Sequence, residues 1–136
     1  MKNAVHMLKS VTNIQMNSFL ITTESGKVIA IDGGHRQDAR YFIDYLQEVT
    51  GASVPHLDAW FLTHPHNDHV DAFLEVMENH SDEISVERVY FNFPSVHFLA
   101  KESEETAKTL MEFYACLPRF ADKIRFCSGY DRFDIG

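Results

Sequence analysis

Thr63-His64-Pro65-His66-Asn67-Asp68-His69 is the stretch on which the reading of this chain turns. Three imidazoles and a carboxylate fall between residues 64 and 69. Just before them, Leu57 to Thr63 (LDAWFLT) is short and apolar, which predicts a buried strand. Just after them, Val70, Phe73, Leu74 and Met77 recur at helical spacing. The cluster therefore occupies a strand-to-helix junction. In an extended loop alternate side chains point the same way, so His64 and His66 are placed to grip one ion together. Asp68 and His69 fall where the chain turns into the helix and face a neighbouring position, the natural arrangement for a second ion. A donor set of imidazole and carboxylate without thiolate suits a divalent metal: zinc, with iron and manganese also open. A solvated polar loop accounts for any one of these histidines, but not for the unit.

Outward from the junction, strands and helices follow one another. Val5 to Val11 alternates in polarity, Asn17 to Thr23 continues as a strand, and Glu24-Ser25-Gly26-Lys27 turns the chain into the strand Val28 to Ile31, a hairpin. Asp32-Gly33-Gly34 ends it sharply. From Asp38 to Val49 the apolar residues keep helical spacing, and Gly51 sits where a C-terminal cap belongs. Downstream, Val86 to Asn92 predicts a strand and Glu102 to Leu117 a helix with Ala107, Leu110, Met111 and Tyr114 on one face. Lys123 to Cys127 predicts a further strand, and residues 131–136 (DRFDIG) look like the opening of one more. A hairpin followed by alternating helices and strands implies an α/β fold on a mixed sheet.

The HxHxDH pattern of residues 64–69 resembles the signature of the metallo-β-lactamase fold superfamily, and Asp32 ahead of Gly33-Gly34 resembles that family's first motif. The likeness spans residues 12–93. It implies half of an αββα sandwich, a mixed sheet with helices on one face. It also implies a hydrolase in which His64 and His66 bind the first metal and Asp68 and His69 the second. Asp68 would then also orient or deprotonate the attacking water. Asp32 would support the loop by hydrogen bonding without ligating, and His35 would serve substrate or the outer coordination sphere. A bound dication lowers the pKa of water toward about 7, which suits such chemistry at neutral pH. His66 stands where a flavodiiron protein would have Glu, which leans toward hydrolases. Where the family often has glycines, this chain has Asp71, expected to face solvent, and Ala72.

The family completes its site with a later histidine, a bridging aspartate and a final histidine. His80 falls at a helix end, where it reads as a cap. His97 comes too early, and no histidine follows Asp131 or Asp134. Residues 1–136 thus read as the N-terminal portion of one domain that lacks its C-terminal half, with a hydrolase as parent and no activity alone. A non-catalytic metal-binding module of the same fold and a mononuclear iron dioxygenase are the alternatives.

Composition narrows the partners. The 136 residues carry a net charge of −8, and residues 51–100 hold eight acids against Arg88 alone. The same stretch holds His56, His64, His66, His69 and His80, a composition that favours a cation. No basic cluster marks a nucleic-acid footprint. Small esters, thioesters, lactams or phosphodiesters are the expected substrates, with nucleic acid disfavoured. No apolar run reaches the roughly 18 residues of a membrane span, and the N-terminus lacks a signal-peptide pattern. Cys116 and Cys127 are expected as buried free thiols, which points to the cytoplasm. The strands are apolar on both faces while the helices suffice for one. Several residues among Phe19, Ile21, Ile29, Ile31, Trp60, Leu62, Tyr90 and Phe91 are therefore expected to be exposed, driving self-association unless a missing half covers them.

Overall fold

The computed structural model describes residues 1–129 and 131–134. Its elements run β1 (Ala4–Met7), β2 (Ser18–Thr22), β3 (Val28–Asp32), α1 (Ala39–Thr50), β4 (His56–Leu57), β5 (Ala59–Leu62), α2 (Asn67–Asn79), β6 (Ser85–Val86), β7 (Val89–Phe91), α3 (Val96–Leu99), α4 (Glu104–Cys116) and β8 (Ile124–Phe126). Six strands form one sheet in the order β1-β2-β3-β5-β7-β8. The first three are antiparallel neighbours, and β3, β5, β7 and β8 are parallel, so the sheet is mixed. Each parallel step needs a crossover, and helices supply it.

Strand alternation sorts the side chains between two faces. Leu20, Val28, Ala30, Trp60, Leu62, Val89 and Phe91 join the main core with Phe42, Ile43 and Leu46 of α1 and Phe73, Leu74 and Met77 of α2. Trp60 is its centre, stacked on Phe42 at 4.7 Å between centroids and edge-on to Phe73 at 5.0 Å. Among the described residues the opposite face gathers Ile29, Ala59 and Tyr90, flanked by Ile21 and Phe61. The chain covers part of it by laying Phe133 against Tyr90 and Phe61, at 4.6 and 5.2 Å. All the helices thus pack on one side of the sheet, as expected.

Several elements differ from the sequence reading, each for a local reason. The first strand stops at Met7, and residues 8–17 form a loop that Asp38 ties down, accepting from the Val11 N–H at 2.7 Å and the Ser10 hydroxyl at 3.1 Å. The strand expected over Leu57 to Thr63 is interrupted at Asp58. There the carboxylate turns inward to accept the Val28 N–H at 2.8 Å and Lys27 at 2.8 Å. Residues 36–38 form a 3-10 turn ahead of α1, and α3 is a single helical turn between β7 and α4. On α4 the buried face is Thr106, Ala107, Thr109, Leu110, Phe113 and Cys116, so Met111 and Tyr114 are exposed rather than packed. Residues 131–134 are not a strand, and Ile135 and Gly136 lie outside the described residues. Cys116 is buried, but Cys127 is only half-buried.

The second sheet face is also distributed differently. Trp60, Leu62 and Phe91 lie on the helix side and are buried, and Ile29 and Tyr90 are buried on the other. The strongly exposed apolar residues there are at the edge, Val5 at 71% and Met7 at 79%. Among the described residues no helix is long and apolar enough to cross a membrane.

Candidate metal centre

The parallel strands β3 and β5 end side by side, and their C-terminal ends carry Asp32 and the 63–69 loop. That is where open α/β sheets place their ligands. Asp32 adopts φ +54°, the left-handed region that a short polar side chain tolerates best. This turns its carboxylate under the loop. Oδ1 accepts the Thr63 N–H at 2.8 Å, and Oδ2 accepts the Thr63 hydroxyl at 2.7 Å and lies 2.7 Å from Nδ1 of His69.

The glycines make close approach possible. Gly33 donates its N–H to the His69 carbonyl at 2.8 Å, and the Gly34 carbonyl accepts from Ala72 at 2.8 Å. A Cβ on Gly34, at φ +95°, would stand 2.8 Å from Oδ2 of Asp38. One on Gly33 would stand 3.2 Å from Cβ of Ala72, so the small residue at 72 serves this packing.

The loop then becomes α2 directly, with His66 at the N-cap and Asp68 in the first turn, where a carboxylate complements the helix dipole. The three imidazoles gather: His64 lies 3.7 Å from His69 and 4.5 Å from His66 between ring centroids. Oδ2 of Asp68 is 3.6 Å from Nε2 of His69. Burial first, and then the neighbouring His69 and His66, push His64 below the ordinary histidine range, which favours the neutral imidazole that can ligate. Their ligating atoms are not drawn to one point, because Asp32, Thr63 and Asn17 engage the ring nitrogens.

Among the described residues, three candidate ligand atoms lie within 4.8 Å of one another at His56, Asp58 and Glu87 instead. That group sits at the opposite end of the strands, and each carboxylate already has a cation. Lys27 is 2.8 Å from Asp58, and Arg88 is 2.8 Å from Glu87. The 63–69 loop fits a divalent ion better. Its donors are three imidazoles and a carboxylate, and the pairing with Asp32 puts the proton of His69 on Nδ1 and leaves the lone pair on Nε2.

His35 is buried, with Nε2 2.9 Å from the Gln15 carbonyl, and lines a cavity of about 590 Å³ together with Asp68 and Asp71. Asp71 does not face solvent as expected. Its Oδ1 is enclosed without a hydrogen-bond partner, and burial lifts its carboxyl to about 6, against the opposing pull of Arg36. A second cavity of about 390 Å³ runs from His66 and Asp68 to Glu102 and Glu105.

His80 caps α2 and contacts Glu83 at 2.7 Å, and His97 is exposed on α3. Asp131 engages Ser128, and Asp134 lines a cavity with Lys27 and Asp58, so neither joins the loop. The sequence carries no sign of Asn17, 52 residues from His69, whose amide nitrogen reaches Nε2 of His69 at 3.0 Å.

The model of the metallo-beta-lactamase superfamily matches residues 11–118. This chain belongs to that superfamily. No curated protein matches it significantly. The fold is accordingly of the kind that metal-dependent hydrolases use, and the superfamily generally binds divalent metals.

Proposed function

We propose that this chain is the ion-binding N-terminal portion of a metal-dependent hydrolase that acts through a water activated at the 64–69 loop. The observation that carries this reading is the 2.7 Å contact between Asp32 Oδ2 and His69 Nδ1. Carboxylate–histidine pairs of this kind fix the tautomer and orientation of metal ligands. His64 and His66 would hold one ion, and Asp68 with His69 a second. Zinc suits the donors best, with iron or manganese as alternatives. When bound, such a dication lowers the pKa of water toward about 7 and polarises a carbonyl or phosphoryl oxygen.

The residues around it divide the remaining work. Asp68 would orient or deprotonate the attacking water. Asp32 holds His69 and Thr63 in register beneath it. The two cavities beside Asp68 carry Asp71, Glu102 and Glu105 in their walls and no Lys or Arg. That charge disfavours a polyanionic nucleic-acid strand and leaves small esters, thioesters, lactams or phosphodiesters as the substrates. The further ligands that superfamily sites use belong, in this reading, to a C-terminal half beyond this chain. Two free thiols fit a cytoplasmic setting.

Equilibrium dialysis of chelator-treated protein against zinc, followed by elemental analysis, tests the assignment. Wild type retains the metal and the His64→Ala/His66→Ala variant loses it. Equal metal in both overturns the reading.

A further inference from the structure

The two nitrogens of His69 have different occupants. Nδ1 faces the buried Asp32 carboxylate at 2.7 Å, so it carries the proton, and Nε2 carries the lone pair. That lone pair is already engaged, since Nδ2 of Asn17 stands 3.0 Å away and is the donor. Asn17 is fixed from behind, because its main-chain N–H donates to the Asp68 carbonyl at 3.0 Å. It also closes the 8–17 loop, whose other end Asp38 holds through Val11 and Ser10.

We propose that Asn17 is a gate on the second half of the metal loop. Its amide N–H occupies the nitrogen through which His69 would hold an ion, so loading at Asp68 and His69 requires that amide to let go. This rests on the reading of residues 64–69 as a metal site. One lone pair cannot serve a hydrogen bond and a metal at once. The 8–17 loop therefore sets the affinity of the Asp68–His69 position and leaves the His64–His66 position alone. An ordinary intramolecular hydrogen bond weakens the competing ion by about fivefold.

Asn17→Ala removes the amide and keeps the main-chain bond to Asp68. Asn17→Leu keeps the bulk but has no N–H to donate. Zinc competition with a chelating dye on the whole chain, with His69→Ala marking which ion depends on His69, reads the effect. Both variants bind the His69-dependent zinc about fivefold tighter or more, the other zinc is unchanged, and the ¹⁵N resonance of Nε2 in zinc-free protein moves toward that of an unbonded nitrogen. Unchanged or weaker His69-dependent zinc binding in the variants overturns the gate alone. No zinc on any form, wild type included, overturns the metal reading and the gate with it.

Discussion

Replacing Asp32 by Asn exchanges one oxygen for an NH₂ and reverses the chemistry of His69. The backbone at φ +54° accepts Asn almost as well as Asp, so the turn itself is not strained. The oxygen that takes the Thr63 N–H at 2.8 Å is retained. The other position, now an amide NH₂, faces Nδ1 of His69 at 2.7 Å and cannot accept from it. The ring responds by moving its proton to Nε2, which turns the nitrogen facing Asn17 from a lone pair into an N–H. The Thr63 hydroxyl, 2.7 Å from the same position, must also find another acceptor. Two bonds to the same carboxylate oxygen are lost or weakened, about 2–3 kcal/mol of stability in a protein of ordinary margin. For a chain of this length that lowers the melting temperature by roughly 8–12 °C.

Metal binding suffers more than folding. Disturbing the partner of a ligating histidine weakens metal affinity by about 10–100-fold. Asp32→Ala adds the cost of a Cβ residue without a local hydrogen bond at positive φ and is the less stable of the two. Thermal unfolding by circular dichroism and zinc dialysis on the same samples check both parts. A folded Asp32→Asn protein with wild-type zinc affinity would refute the orienting role.

Two further outcomes are expected. Burial pushes the Cys116 thiol up to about 11, so at pH 8 an aromatic disulfide reagent titrates Cys127 quickly and reaches Cys116 only after denaturant is added; two equally fast thiols would contradict the packing of α4. Val5 and Met7 leave an apolar edge on the sheet face that carries no helices, so sedimentation of the isolated chain shows dimers or larger species that Val5→Thr/Met7→Lys reduces; a wild-type monomer at high concentration would refute the half-domain reading.

What the sequence disclosed follows from the range of the interactions involved. Helical periodicity and the Asp-Gly-Gly stop are local, so α1, α2 and the junction at residues 63–69 were legible within a residue or two. Asp58 was not, because it breaks a strand to satisfy Val28, thirty residues away in the chain. The buried side of α4 was misjudged for a related reason. Thr106 and Thr109 turn inward beside Phe113, while Met111 is left outside, a choice made by packing rather than by hydropathy. Around the loop, the residue types and their spacing were readable, and so was the hydrogen bonding of Asp32 beneath it. Asn17 and the enclosed carboxylate of Asp71 were not, since each depends on a neighbour brought up by the 8–17 loop or by α4.

Asp32 ends the first strand of a single strand–helix–strand crossover, and all four groups of the loop follow directly on its last strand, by residue 69. The cost of bringing distant residues together grows with the logarithm of the chain between them. Only this one short connection has to close before the aspartate meets His69. Insertions after α2 leave that closure untouched. The fold thus separates two inheritances: a compact crossover that must be kept almost intact, and the later segments around α3 and α4, free to change length and thereby reshape the walls beside Asp68.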